Sequence, residues 1–577
     1  MNHRRWIVFA AALLLLIVLV PSASAAKARA VGIRNPEVAT QAAMRLQTMY
    51  TPDELKKGVY VGSNFCLACH TTMSSYKDTN HASFLRRPLT QYSLQPGKGV
   101  IADFDKNNVD DFIQGLDFNK IASPFDKYKP NAPVLSVENG QYFVTIGTMK
   151  MPLAFTVAGQ RNGSAQRFVV KVPVTDTPNK LTYSAYFAPL QYVPATGWAV
   201  YNGQSWYDTA NAPKYVAGIG SAAFATGAPS NHTSGCIGCH AASPRGLEKM
   251  ATGEWRYEGW TNVLFDPNDP TAFDYDGDGE FEIMNIGCEN CHGPGASHII
   301  AAGDPAKIVN PARLKAPQQA EICGRCHVTS KSIPAGTFGW PFDDATMTNW
   351  TPFDAKNGVA LKNFYVDTTA LFPDGKHSSG GRPYHDYTIS SHATFAQHQV
   401  GCPECHDPHD EGEGMLIREK TVQDNLEIKT SAEDNTLCLS CHAKYGPFAA
   451  LTRTDIQEMH TKAETFDKVA KVVEQHTHHP VAPERTMGLS RCTGCHMSVS
   501  AGHSFNAISP EETLKYQDKG GMANSCASGC HNNRVDIFNL GVKGTATTWN
   551  NPFDVKLSNA LKLYYGENGT WWKTPKP

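Results

Sequence analysis

Apolar and polar positions recur with different periods along this chain, and each period predicts a different element. The N-terminus starts basic at Arg4 and Arg5, runs unbroken and apolar from Trp6 to Val20, and exits through Ala23-Ser24-Ala25. A basic start, an apolar stretch too short to span a bilayer comfortably and an Ala-x-Ala exit predict a secretory signal peptide over residues 1–25, cleaved after Ala25. No later stretch is apolar enough to cross a bilayer, so the mature chain is expected outside the cytoplasm, in the periplasm or beyond it. Between Val134 and Val193 the period falls to two. Gln141–Ile146, Arg167–Val172 and Tyr183–Phe187 read as strands, with Asn139-Gly140 and Asn162-Gly163 as hairpin turns. The aromatic residues that follow, Trp198, Tyr201, Trp206 and Tyr207, either pack against this sheet or line a pocket. From Thr454 to His476 the period becomes helical: Ile456, Met459, Ala463, Phe466, Ala470 and Val473 form one stripe, with Thr454 and Gln457 placed for a capping box.

Composition adds constraints. The 577 residues suffice for three or four ordinary domains, or for fewer if something other than apolar side chains fills the interior. The 36 prolines and 47 glycines predict much irregular backbone. A formal net charge of -2 and the absence of a polybasic run argue against nucleic acid and anionic lipid as partners.

The cysteines change the picture most. All 16 fall into eight close pairs, and a histidine follows the second member of each. Seven are C-x-x-C-H: Cys66/Cys69/His70, Cys236/Cys239/His240, Cys288/Cys291/His292, Cys323/Cys326/His327, Cys402/Cys405/His406, Cys438/Cys441/His442 and Cys492/Cys495/His496. The eighth, Cys526/Cys530/His531, has one extra residue, and Gly529 supplies backbone freedom for it. This is the attachment signature of c-type haem: two thiols reach the two vinyl groups on one edge of a rigid macrocycle, and the adjacent imidazole swings beneath the ring to bind iron. Disulfides or zinc would not need a histidine after every second cysteine. Eight covalent haem c groups are therefore expected.

Each such iron keeps one face for a second ligand. Of the 22 histidines, eight sit in motifs and His3 lies in the leader, which leaves enough to give every iron two. His298 and His409 follow a motif too closely to fold back over their own haem and suit a neighbouring one. His81 and His232 lie close to motifs, His460 borders the helical stripe, and one of His476, His478 and His479, just past the helix end, is expected as a ligand, with His478 the candidate. His377, His385, His392, His398 and His503 cannot be told apart by position. Apart from haem, Asp274, Asp276 and Asp278, with Gly279 in the sixth place, alternate like a calcium loop, although the twelfth place holds Asn285. Calcium and a solvated acidic turn both fit.

The segments Cys288-Glu289-Asn290-Cys291-His292-Gly293-Pro294-Gly295-Ala296-Ser297-His298 and Cys402-Pro403-Glu404-Cys405-His406-Asp407-Pro408-His409 resemble the multihaem cytochromes of the hydroxylamine oxidoreductase, pentahaem nitrite reductase and octahaem tetrathionate reductase superfamily. The resemblance implies close-packed haems through which electrons hop. It departs in one respect: nitrite reductases of that group carry C-x-x-C-K at the catalytic haem, whereas every motif here ends in histidine. The expected fold is a multihaem cytochrome of short α-helices and loops wrapped around haems, with a small antiparallel β subdomain between the first and second motifs. Its parts are the signal peptide, an N-terminal region 26–125, the β-rich part 126–230, a haem-dense region 231–540 and a tail 541–577 that includes Trp571 and Trp572. Two functions follow. One is an electron carrier with every iron closed by two histidines, serving redox partners such as membrane-bound quinol-oxidising or outer-membrane electron-transfer complexes and able to self-associate into an oligomer or filament. The other is a reductase or oxidase of a small nitrogen or sulfur compound with one open iron, for which Lys444 is a conceivable pocket group.

Overall fold

The computed structural model describes residues 36–159, 164–177, 180–214, 231–531 and 552–565, except positions 251, 252, 265, 273, 381, 411, 413, 483 and 499. The predicted signal peptide, the Asn162-Gly163 turn and Trp571 and Trp572 lie outside these residues. Among the described residues no helix is long and apolar enough to cross a membrane. The described residues form two compact units, one within 1–313 and 331–365 and the other within 314–330 and 366–577.

The first unit begins with helix α1 (Pro36–Met49) and is dominated by one antiparallel sheet. Its strands are β1 (Leu85–Arg86), β2 (Val134–Glu138), β3 (Gln141–Ile146), β4 (Met149–Val157), β5 (Gln166–Thr177), β6 (Lys180–Val193) and β7 (Gly197–Val200). They lie in sequence order from β2 to β7, and β1 pairs with β4. The β2–β3 hairpin turns on Asn139 and Gly140 at φ 50° and 77°, the left-handed pair that matches the twist of two-residue hairpins. Strand β4 escapes the sequence pattern because Pro152, opposite Phe143, cannot donate to the ladder, and the register shifts between Leu153 and Phe155.

Alternation places Tyr142, Val144 and Ile146 on one buried face with Phe168, Val170 and Val172. Trp198 is the centre of this core, with ring centroids 5.2–5.8 Å from Phe118, Phe168, Tyr192 and Phe112. Trp206 and Tyr207 are also buried, and the Trp206 indole donates to the Phe187 carbonyl at 2.8 Å. Packing, rather than a pocket, is the role of these three. Tyr201 is half-buried beneath the Arg167 guanidinium.

The second unit is built of short helices: α2 (Ala316–His327), α3 (Arg453–Glu458), α4 (Ala463–Thr477) and α5 (Pro552–Tyr565) among them. The helix expected across Thr454–His476 is thus two helices. Its capping box is Thr452 with Asp455 instead of Thr454 with Gln457, because the Asp455 carboxylate accepts from the Thr452 backbone N–H at 2.7 Å while Gln457 donates to the Glu427 carbonyl at 2.8 Å. The apolar stripe survives the break: Ile456, Met459, Phe466, Ala470 and Val473 share one cluster with Ile428, Leu439 and Leu451. Helix α5, within the predicted tail, buries Leu557 and Leu561.

Candidate functional site

Seven of the eight motifs end on a helical turn that carries the second cysteine or both: Ser63–Cys69, Ile237–His240, Cys288–His292, α2, Thr436–His442 and Cys492–His496, with Ala527–His531 for the last. The remaining motif opens on a 3₁₀ turn, Cys402–Glu404. One helical turn brings residues three and four apart to the same face, which is what a C-x-x-C-H segment needs to present two thiols and an imidazole together. The extra residue of the eighth motif is absorbed by a wider turn, since Ala527–His531 is a π-helix. Glycine within two motifs has a steric cause. A Cβ on Gly238 would lie 2.3 Å from the Trp340 ring, and one on Gly324 would lie 2.6 Å from the Tyr384 ring.

None of the sixteen cysteines is in a disulfide. The sequence treats the two thiols of every pair alike, and the structure does not. Cys69, Cys239, Cys291, Cys326, Cys405 and Cys495, the second cysteines of six motifs, are half-buried like the first cysteine of each pair, whereas Cys441 and Cys530 are exposed. Cys323 and Cys326 thus share one degree of cover on the last turns of α2, while in the eighth motif Cys526 is half-buried and Cys530, one residue beyond the usual spacing, faces solvent.

Motifs also meet one another. In the first unit the Cys66 thiol hydrogen-bonds the Cys288 thiol, and that contact with burial pushes it well up. In the second unit Cys323 bonds Cys402 and Cys438 bonds Cys492. Burial pushes the Cys405 and Cys526 thiols up to about 12.

The imidazoles are arranged in facing pairs. In the first unit His70 and His298 have ring centroids 6.3 Å apart with planes 20° from parallel. In the second unit the pairs are His392 with His442 at 6.0 Å and 82°, His406 with His503 at 6.2 Å and 27°, and His476 with His496 at 6.3 Å and 15°. Two imidazoles binding one metal ion from opposite sides through nitrogens at ~2 Å have centroids ~6.3 Å apart, whatever the angle between their planes. The four spacings fit an iron between each pair.

Hydrogen bonds set the tautomers. Nδ1 faces a backbone carbonyl in His292 (Val309, 2.7 Å), His298 (Asp304, 2.9 Å), His406 (Met415, 2.9 Å) and His496 (Phe505, 2.8 Å). A carbonyl only accepts, so Nδ1 carries the proton and Nε2 keeps the lone pair a metal needs. Burial also disfavours the charged form of several of the paired rings, His406 among them. It pushes His503 down to about 4, aided by His406 and His327, and lowers His70, His392, His442 and His476, with help from His298 for His70, from His442 for His392, and from His496 for His442 and His476.

Other predicted ligands are placed differently. His232 Nε2 lies 3.3 Å from Nδ1 of His240, with centroids 5.5 Å apart, and its Nδ1 meets the Tyr275 hydroxyl at 3.1 Å. It therefore approaches the flank of the motif imidazole and not the coaxial position. His460 Nε2 is held by the Asp434 carboxylate at 2.9 Å, so the nitrogen that would face iron is engaged. His409 bonds Asp407 through Nδ1 at 3.1 Å, His478 caps α4 in a left-handed conformation, and the His81 carbonyl accepts from Ile286 at 3.1 Å. His385 is tied at both nitrogens, to Asp367 and to the Lys376 carbonyl. His377 fixes Nδ1 on Asp374 at 2.5 Å and leaves Nε2 buried without a partner. Sequence position could not single out His392, His476 or His503, since each meets a motif only through the fold. For His531 the backbone alone is described.

Asp274, Asp276 and Asp278 gather with Glu282, their ligand oxygens all within 4.8 Å of one another. Asn285 is turned away and clamps Leu85, accepting its N–H at 2.6 Å and donating to its carbonyl at 3.0 Å. Burial and the acids around it push Glu282 up to about 9, and its carboxylate accepts the Tyr275 N–H. Lys444 is a surface residue paired with Asp424 at 3.2 Å.

Residues 392–446 match the doubled CXXCH motif family. They begin at His392, span the fifth and sixth motifs and contain both members of the His392–His442 pair. No curated protein matches the chain. Two solved structures are similar. The crystal structure of the outer cell wall cytochrome OcwA shares 19% identity, with a TM-score of 0.40, over 82% of this chain and 83% of that one. The undecaheme cytochrome from the S-layer of Carboxydothermus ferrireducens shares 16% identity, with a TM-score of 0.34, over 89% of this chain and 66% of that one.

Proposed function

We propose that this chain is an exported c-type cytochrome carrying eight covalent haem c groups, and that it moves electrons along them in periplasmic or extracellular respiration. The observation that carries the reading is the set of four imidazole pairs spaced 6.0–6.3 Å between centroids, each joining a motif histidine to a histidine outside the motifs. Bound haem c supplies a one-electron iron couple. The chain's contribution would be to hold two imidazoles for one iron in each pair, with Nδ1 of His298, His406 and His496 tied to a backbone carbonyl so that Nε2 is left for the metal. Thiol contacts between Cys66 and Cys288, Cys323 and Cys402, and Cys438 and Cys492 support close neighbouring sites within each unit. Redox proteins, including membrane-bound quinol-oxidising or outer-membrane electron-transfer complexes, are the partners this reading calls for, and self-association into an oligomer or filament would extend the path.

The test is the matured protein's mass and spin state. Eight haem increments and a ferric spectrum that is low-spin throughout are expected; a smaller increment or a large high-spin fraction ends this reading. A second reading rests on the second motif, where His232 stands beside His240 and not across from it. An iron there that lacks a second histidine would suit reduction or oxidation of a small nitrogen or sulfur compound. A high-spin signal abolished by changing Cys236 and Cys239, together with turnover of nitrite, hydroxylamine, sulfite or tetrathionate, would favour it.

A further inference from the structure

Asp111 is fully buried beside the sheet of the first unit, and only one of its carboxylate oxygens is satisfied. Oδ2 accepts from the Phe104 N–H at 2.8 Å and the Trp198 indole N–H at 2.6 Å, whereas Oδ1 is buried without any hydrogen-bond partner. An ionised oxygen withdrawn from water and left unpaired is costly. A ligand oxygen of Asp111 lies within 4.8 Å of ligand oxygens of both Asp103 and Asp105. The neighbouring Asp110 differs in being satisfied: it accepts from Ser93, Phe112 and Tyr142 at 2.7–2.9 Å. From these observations we infer that residues 103–114 bind a hard divalent cation, calcium by the chemistry of the donors.

The segment has the register of a twelve-residue calcium loop. Asp103, Asp105 and Asn107 stand at the first, third and fifth places, Val109 offers its carbonyl at the seventh and Asp111 stands at the ninth. The sixth place, where such loops turn sharply on glycine, holds Asn108 at φ 63°. Backbone N–H groups of Asn107 and Asn108 already bond the Asp103 carboxylate at 3.0 Å, which orients it. At the twelfth place Gln114 reaches back into the loop, donating to Asp105 at 2.7 Å and accepting from Asn107 at 3.0 Å. A neutral amide there supplies less charge than the usual bidentate glutamate, so the affinity belongs to the weak class of about 0.1–1 mM. The cation would brace the loop against Trp198 and so against the sheet core. The 274–282 acids differ, because none of their carboxylate oxygens is buried without a hydrogen-bond partner.

The experiment uses the full matured protein, stripped with chelator and equilibrated with calcium alone. Asp105, which is exposed, is changed in Asp105→Asn, and the other acid loop is changed separately in Asp276→Asn. Asp105→Asn should bind one calcium fewer per chain than the parent, while Asp276→Asn should leave this site occupied. Calcium should slow trypsin cleavage after Lys106 at least tenfold in the parent and not in Asp105→Asn. Gln114→Glu should tighten binding at least tenfold, a gain that a folding defect cannot mimic. Equal calcium content in the parent and Asp105→Asn, cleavage after Lys106 indifferent to calcium, or unchanged affinity in Gln114→Glu would each overturn the site.

Discussion

A histidine can close an iron's second face only if one ring nitrogen is unengaged and aimed along the axis of its partner. Geometry therefore divides residues that the sequence treats alike. His503 faces His406 at 6.2 Å, whereas His460 gives its Nε2 to Asp434. His503→Ala should convert one centre to a high-spin ferric form, about one-eighth of the haem if all eight sites are filled, and His460→Ala should leave the spin state unchanged. Electron paramagnetic resonance of the oxidised protein separates the two. The same contrast holds for glycines inside motifs. Gly324 lies under the Tyr384 ring, and Gly494 has open space where a Cβ would go. Gly324→Ala should destabilise the second unit by ~1–3 kcal/mol through overpacking, while Gly494→Ala should change stability by no more than about 0.5–1 kcal/mol, in the stabilising direction expected within a helix. Chemical denaturation followed by haem absorbance reads both.

At the scale of elements, the 274–282 turn carries a titration. The buried Glu282 carboxyl sits at about 9, far above its ordinary 4.5. Burial is the first cause, and Asp276, Asp274 and Asp278 add to it. A folded carboxyl raised in this way contributes stability fully below about 4.5, and that contribution is lost as the pH rises toward 9. In chelator, the denaturation midpoint of the first unit should fall across that window, with a slope of up to ~1 kcal/mol per pH unit. Glu282→Gln should flatten it; an equal slope in the variant would disprove the assignment. Elements also show where sequence reasoning reaches its limit. Strand β3 was legible because its alternation is strict and an Asn-Gly turn precedes it, whereas β4 was hidden by Pro152 and a register shift. The α3–α4 stripe was legible as a face, but the break within it was not, because the cap that starts α3 depends on Thr452 and Asp455. Motif cysteines and histidines could be read outright, since their chemistry is local. Their partners could not, because His298 meets His70 across 228 positions of chain and no local pattern records such a meeting. Nor could their cover, since Cys326 and Cys441, both second cysteines of a C-x-x-C-H segment, differ in exposure.

Across the molecule, the two kinds of interior have different origins. The sheet core runs from Val100 to Tyr207 and is filled by its own side chains, among them Phe112, Phe118, Tyr142, Phe168 and Trp198, with no motif residue in it. Two of the other clusters are smaller and lean on the motifs: one packs against Cys236 and Cys239, and another is built on Leu439 within the sixth motif and Ala443 just after it. A small apolar cluster does not offset the entropy of ordering its chain, and domains without sufficient core depend on a bound group for stability. The sheet region should therefore fold without haem, and the second unit should not. A chain carrying all sixteen cysteines as alanine should yield a protease-resistant fragment near residues 100–207 that retains a strand-type circular dichroism spectrum and melts cooperatively. Segments from the second unit should be digested within the first minutes. Uniform digestion, or a second unit that survives intact, would show that side chains alone hold this interior together.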